Sequence, residues 1–395
     1  MITLKKSLAI IIPILIVASL LIVYFFYMSS IGKNTNNSKK NGNKNETVKE
    51  EDYKNVFGDV KIETVRAALS DGRPWGELAI SDKGEIYGYA PANNNIPCQL
   101  LTFNLSTKKT EVIYTIKDKL EPVMFKYNED YFLWTERLSQ YDTNQSRIIL
   151  YNRKNKEVVI LDEEKKLSPD IPPQNISLSK DYVLWSKAVS DKDTIKYSIM
   201  KYDVRSKKTS VFKEDVTVPS IAGNNIAWLG PENEKRENSA IFLNNLKNNT
   251  IKKVTEGKNP FYLDNDGSSF VFSGVDNLDY QSKNKEKAIA LYSINLYENG
   301  NIRTIEKSTT DHFEFPAIST NFISWRSDDK VRVYDRKSNK IAILPSDYAG
   351  YGYILVSNKY ILWHTPAIKD ADAAKKKAIE QGIYLSDLHI ICIKR

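Results

Sequence analysis

Cysteine and histidine are scarce in this chain: two cysteines and three histidines among 395 residues. So few thiols exclude a disulfide-framework fold, and no two of His312, His364 and His389 stand at metal-ligand spacing. A Gly-x-Ser-x-Gly elbow and a glycine-rich phosphate loop are also missing. Asp264-Asn265-Asp266-Gly267 opens like a calcium loop, but no ligands continue at the required spacing and no Glu closes it, so it reads as a turn. No catalytic residue, metal or cofactor is indicated. Glycines number only 16, and the surplus of Asn, Lys and Tyr fits an AT-rich bacterial coding sequence.

Only one long apolar run is present. Lys5 and Lys6 precede residues 7–28, which carry no charge and are interrupted only by Pro13 and Ser19. Roughly 20 residues at about 1.5 Å rise each span a hydrocarbon core of about 30 Å. A cleaved signal peptide has a shorter core and a small-x-small cleavage site, and no such site follows here. The expectation is an uncleaved transmembrane signal anchor at 7–28, with residues 1–6 cytoplasmic and the body extracytoplasmic, in a bacterial cell membrane. Residues 29–56 have almost nothing apolar to bury and are expected to form a disordered polar linker. Their lysines supply part of the net charge of +8, so the basic balance does not argue for nucleic acid.

From residue 57 to 395 the chain repeats itself. The clearest copy, Phe313–Leu344, contains four short strand-like runs: Pro316–Ser319, Phe322–Trp325, Val331–Tyr334 and Lys340–Leu344. Aligning on the second strand of each unit puts an aromatic at one position seven times: Tyr87, Trp134, Trp185, Trp228, Phe272, Trp325 and Trp363, spaced 38 to 53 residues apart. Runs such as Tyr131–Trp134 and Tyr182–Trp185 are apolar on both strand faces, which suits a sheet covered on each side. Four-strand units that cannot bury both faces alone must stack. The expected fold is all-β: a seven-bladed propeller of four-stranded antiparallel blades from about residue 75, preceded by the single transmembrane helix. The last unit reads as complete, with strands at 353–356, 359–363, 382–385 and 389–393. Residues 57–73 are then an outside segment or, alternatively, the strand that closes the ring.

The repeat resembles those of TolB-type bacterial propellers, whose first turn often reads Ser-Pro-Asp-Gly. Ser81-Asp82-Lys83-Gly84 and Asp264-Asn265-Asp266-Gly267 are degenerate copies, and the likeness covers about Trp75 to Arg395. The resemblance implies a propeller fold and extracytoplasmic contacts with a protein or cell-envelope component. It carries over no catalytic residue.

The connections between second and third strands are long, and in a propeller they emerge on one face, the default binding face. Candidate binding residues there are Asp142, Asp191, Asp193, Glu232, Asp276, Asp279 and His364. Residues 368–381 have helix-forming composition and read as a short helix capping that rim. The opposite face gathers Lys108, Lys109, Arg153, Lys154, Lys156, Arg205, Lys207, Lys208, Arg336, Lys337 and Lys340 in its turns, which would make a basic collar or simply solvated turns. Cys98 and Cys392 fall in the first and last units, neighbours in a closed ring, and are a possible disulfide. The reading that follows is a membrane-anchored binding or scaffold module. The alternatives are a propeller enzyme acting on carbohydrate or peptide, with carboxylates at the channel mouth, or a small-ligand sensor.

Overall fold

Strand-forming runs dominate the chain, several of them buried on both faces as in Phe322–Arg326 and Val331–Asp335, and they assemble into seven separate sheets. The structure is a computed structural model. It describes residues 48–394 except 94–95, 118–119, 139–143, 168–174, 192–193, 234–237, 267, 277–289, 328–329, 346–353 and 368–384. The anchor expected at 7–28 and the helix expected at 368–381 therefore lie outside the described residues. Among the described residues no helix is long and apolar enough to cross a membrane. The propeller belongs to a compact unit spanning Thr47–Arg395.

That unit begins with three short elements: β1 (Glu50–Asp52), α1 (Tyr53–Phe57) and β2 (Ile62–Arg66). Blade one is β3 (Gly76–Ile80), β4 (Glu85–Ala90), β5 (Gln99–Asn104) and β6 (Lys109–Thr115). Blade two is β7 (Glu121–Tyr127), β8 (Tyr131–Arg137), β9 (Asn144–Asn152) and β10 (Val158–Leu167). Blade three is β11 (Ile176–Leu178), β12 (Tyr182–Asp191), β13 (Thr194–Asp203) and β14 (Lys208–Glu214). Blade four is β15 (Thr217–Ala222), β16 (Asn225–Pro231), β17 (Ser239–Asn245) and β18 (Thr250–Lys253). Blade five is β19 (Pro260–Asn265), β20 (Phe270–Asp276), β21 (Leu291–Glu298) and β22 (Asn301–Ser308). Blade six is β23 (Glu314–Ile318), β24 (Phe322–Arg326), β25 (Val331–Asp335) and β26 (Lys340–Leu344). Blade seven has β27 (Leu355–Val356), β28 (Tyr360–Pro366) and β29 (Ser386–Cys392), and its fourth strand is β2. Each blade is a meander whose first strand lies innermost. The innermost strands contact one another in turn around the ring, including that of blade seven with that of blade one.

Ring closure departs from the reading that the last unit is complete. The run at 389–393 continues the strand that starts at Ser386, so among the described residues blade seven provides three strands of its own. β2 pairs antiparallel with β29, from Ile62 opposite Ile391 to Arg66 opposite Asp387, and supplies the fourth. Residues 57–73 thus contain the closing strand. The structured body also starts earlier than 57: β1 lies parallel against β26, and the Phe57 ring meets Phe322 edge-on at 5.9 Å. The last residues assigned to the linker are folded onto blade six.

The core is a set of clusters between neighbouring blades rather than one central mass. Trp185, Trp228, Phe272, Trp325 and Trp363 each pack toward the preceding blade. All seven repeat aromatics lie on second strands and are at most 1% exposed. Tyr87 departs from the series in direction. The first turn of blade one, which contains Gly84 at φ +74°, holds one residue more than the others: Ile80 pairs with Ile86, whereas Leu178 pairs with Val183 and Ile318 with Ile323. One extra residue turns every following side chain to the other face. Tyr87 therefore packs toward blade two, against Phe125 and Phe132, and Gly88 occupies the position that tryptophan or, in blade five, Phe272 holds elsewhere. Trp75 fills the space from outside the strand, joining the cluster between blades seven and one.

Candidate functional site

Innermost strands of a propeller leave one edge of backbone N–H and C=O groups unpaired by any sheet. Here side chains from neighbouring blades meet many of these groups. Tyr127 Oη donates to the Ile80 carbonyl at 2.8 Å, and Asn128 Nδ2 to that of Ser179 at 3.1 Å. Ser177 Oγ accepts from Ile221 N at 2.9 Å, and Asp264 Oδ2 from Ile318 N at 3.3 Å. Ser319 Oγ donates to the Ser357 carbonyl at 3.1 Å, and the Asn358 amide N–H donates to Asp82 Oδ1 at 2.6 Å, which joins blade seven to blade one. Asn265 and Ser220 make the corresponding contact between blades four and five.

Inside this belt lies a cavity of about 720 Å³. All seven innermost strands and the turns that follow most of them line it, so it occupies the end of the central channel at the face of the first turns. Lys126 and Lys180 face it along with Asp82, Asp181, Asp264 and Asp266. One contact crosses it: Lys126 Nζ, on blade two, donates to Asp264 Oδ1, on blade five, at 2.7 Å. Asp266 is held ionised below the usual carboxylate range. Burial works against this, but backbone N–H groups of Ser268 and Ser269 and the Arg336 guanidinium outweigh it. The Tyr127 phenol is pushed up to about 12 by burial and stays neutral.

Several basic residues of the same face are paired with carboxylates. Lys154 pairs with Asp130 at 2.7 Å, Arg205 with Asp181 at 3.3 Å, Lys207 with Glu157 at 3.0 Å and Lys340 with Glu51 at 3.1 Å. Lys108 pairs with Glu63, and Arg336 reaches Asp266 and Glu298. Arg153 lies over the Phe132 ring, 4.6 Å from its centroid, and donates to the Asn128 carbonyl. Pairs this exposed are screened by solvent and add little to stability.

The candidate residues of the opposite face are only partly described. Asp142, Asp193 and Asp279 lie outside the described residues, and Asp191 and Asp276 are described by backbone alone, as the last residues of β12 and β20. Glu232 is nearly buried and holds the blade together: it accepts from Gly257 N at 3.0 Å and faces Lys253 at 4.0 Å. His364 lies within β28 rather than in a loop, and its Nδ1 meets the buried carboxylate of Glu77 across the junction of blades seven and one. Cys98 and Cys392 are both free. Cys98 is buried against Ile116 and Leu120, and burial pushes its thiol pKa up, whereas Cys392 is exposed at the end of β29.

Sequence reasoning missed Lys126 and the ring of cross-blade bonds. The available signal was Asp264-Asn265-Asp266, whose first Asp falls on the channel and whose last anchors Arg336.

Neither a family model nor a curated protein matches the chain. Solved structures do. The β-propeller domain of the Trilobed protease from Pyrococcus furiosus is similar at TM-score 0.52 and 11% identity, over 77% of this chain and 98% of that one. Oligogalacturonate lyase from Vibrio parahaemolyticus is similar at TM-score 0.52 and 9% identity, over 85% and 99%. TolB from Acinetobacter baumannii matches at TM-score 0.43 and 11% identity, over 70% and 66%, and an acylaminoacyl peptidase from Pyrococcus horikoshii at 0.50 and 14%, over 78% and 54%. The chain thus spans about two thirds of the TolB chain and about half of the peptidase chain. At these identities the matches at TM-score 0.50 and above speak to the fold alone, and the seven sheets of this chain make it a seven-bladed β-propeller. The Pyrococcus furiosus domain is described as having an open Velcro topology, whereas β2 closes the ring here.

Proposed function

We propose that this propeller is a binding or scaffold module for a protein or cell-envelope component, anchored in the bacterial cell membrane by residues 7–28 and exposed outside the cytoplasm. The observation that carries the binding reading is the cavity of about 720 Å³ to which all seven blades contribute. Its volume falls within the range of about 300–1000 Å³ typical of ligand sites. Rigid strand ends hold its walls, and its polar groups converge from every side of the ring. The carboxylates there are fixed by Asn358, Ile318 N and Arg336, an arrangement suited to holding a surface in shape. The anchor reading rests on the uncharged run that follows Lys5 and Lys6.

The test is affinity capture from envelope extract with the full-length chain in neutral detergent. One comparison chain has the mouth obstructed by Ser179→Trp and Ser357→Trp. A second has the long loops at 138–143 and 277–290 shortened. A partner retained by the intact and loop-shortened chains but lost by the obstructed one supports the mouth. Loss only on loop shortening moves the site to the opposite face, and no retention by any chain overturns the binding reading.

A further inference from the structure

The ion pair across the channel is unequal in its attachments. Asp264 is 20% exposed and keeps a second bond, from Ile318 N to Oδ2 at 3.3 Å, which orients the carboxylate whether or not the lysine is present. Lys126 is 42% exposed and ends a flexible four-carbon stem that crosses from blade two. The carboxylate is therefore a fixed acceptor, and the ammonium group is its movable occupant. Around them Asp181 is paired with Arg205 and Asp266 with Arg336, whereas Asp82 accepts from Asn358 N.

We propose that Asp264 is the recognition point for a primary ammonium group of a small ligand, an amino sugar or a diamine, and that Lys126 fills this subsite until the ligand displaces it. The proposal rests on the reading of the mouth as the binding site. The lysine acts as a tethered competitor, present at an effective concentration of the order of millimolar. A ligand overcomes it by adding hydrogen bonds to other polar groups that line the same cavity, among them Ser179, Asn224, Ser357 and Asn358. No bond is made or broken; one ammonium group exchanges for another at one carboxylate.

The test is titration calorimetry on the full-length chain in neutral detergent, with cadaverine, with the β-1,4-linked trimer of glucosamine and with its N-acetylated form as the uncharged control. At least one of the two amines is expected to bind and the acetylated trimer not to. Preference for the trimer identifies an amino sugar; preference for cadaverine, a diamine. Removing the competitor with Lys126→Met should tighten binding roughly tenfold or more, because the competent state is then always populated. Asp264→Asn, which keeps shape and loses charge, should abolish it. Unfolding temperatures within about 2 °C of the parent would establish that both variants fold. The proposal is overturned if neither amine binds the parent and Lys126→Met chains, if the acetylated trimer binds as well as the amine, or if Asp264→Asn binds like the parent. If it fails while the obstructed chain still loses its envelope partner, the mouth remains a binding site with other chemistry. Failure of both results ends the wider reading as well.

Discussion

Trp75 packs against Gly88 so closely that a Cβ there would lie 2.9 Å from Cε3 of the indole and 2.5 Å from the Gly76 carbonyl oxygen. The glycine stands where the other blades carry tryptophan or, in blade five, Phe272, and the indole is supplied by Trp75, the residue before β3. Gly88→Ala should cost about 1–3 kcal/mol through overpacking, since the carbonyl cannot move aside. Trp75→Ala should cost about 3–5 kcal/mol by leaving a cavity between blades seven and one. Denaturant melts of the two variants check both values; a Gly88→Ala chain as stable as the parent would refute the close packing.

Closure by β2 makes the N-terminal part of the body a structural component of the ring. Thr64 bonds His389, Arg66 pairs with Asp387 at 2.5 Å, and Ala67 joins the core beside Trp75. A chain beginning at residue 68 should melt several degrees lower than one beginning at residue 48. His389 adds a pH dependence. Burial lowers its pKa below the ordinary histidine value of about 6.5, so the unfolded chain binds the proton more readily. Its contribution is fully present above that pH and is lost as pH falls below it. His389→Gln should remove that part of the acid sensitivity, as read from melts between about pH 5 and 8.

Much of this architecture was legible in the residues, and the reasons for the departures are physical. Strand period and the recurrence of Trp134, Trp185, Trp228, Phe272, Trp325 and Trp363 reported the blades, because each unit must bury the same position against its neighbour. The direction of Tyr87 was hidden, since it depends on one extra residue in a turn. The closing strand within residues 57–73 was legible only as one of two alternatives, because its pairing joins residues more than 300 positions apart. Lys126 and Asp264 lie 138 residues apart, and no local pattern marks such a contact. Several of the turn lysines that offered a possible basic collar find acidic partners that only the folded ring brings near.

Blade five and blade six share a buried cluster in which Arg332 meets Glu50 at 2.7 Å, Glu306 at 3.2 Å and Asp311 at 3.3 Å. One guanidinium cannot neutralise three carboxylates, and the most buried of them, Glu306, is pushed up to about 8 by burial, despite Arg332. The folded chain then holds a proton that the unfolded chain loses. The resulting stability is fully present below about pH 4.5 and is lost as pH rises through about 8. Glu306→Gln should flatten the decline between these limits, as measured by unfolding free energy against pH. An unchanged slope would place the proton elsewhere.

The apolar run at 7–28 predicts that the full-length chain sediments with membranes and resists alkaline extraction, whereas a chain starting at residue 48 is recovered in the soluble fraction. Added protease should digest the body in spheroplasts. Recovery of the full-length chain in the soluble fraction would contradict the anchor.

Hydrogen exchange of the full-length chain, with and without the partner captured from envelope extract, tests binding at the channel mouth most directly. Slowed exchange in the first turns around residues 179–181, 223–224 and 357–359, with little change elsewhere, is the expected result. Protection confined to residues 138–143 and 277–290, with the first turns unaffected, would contradict it.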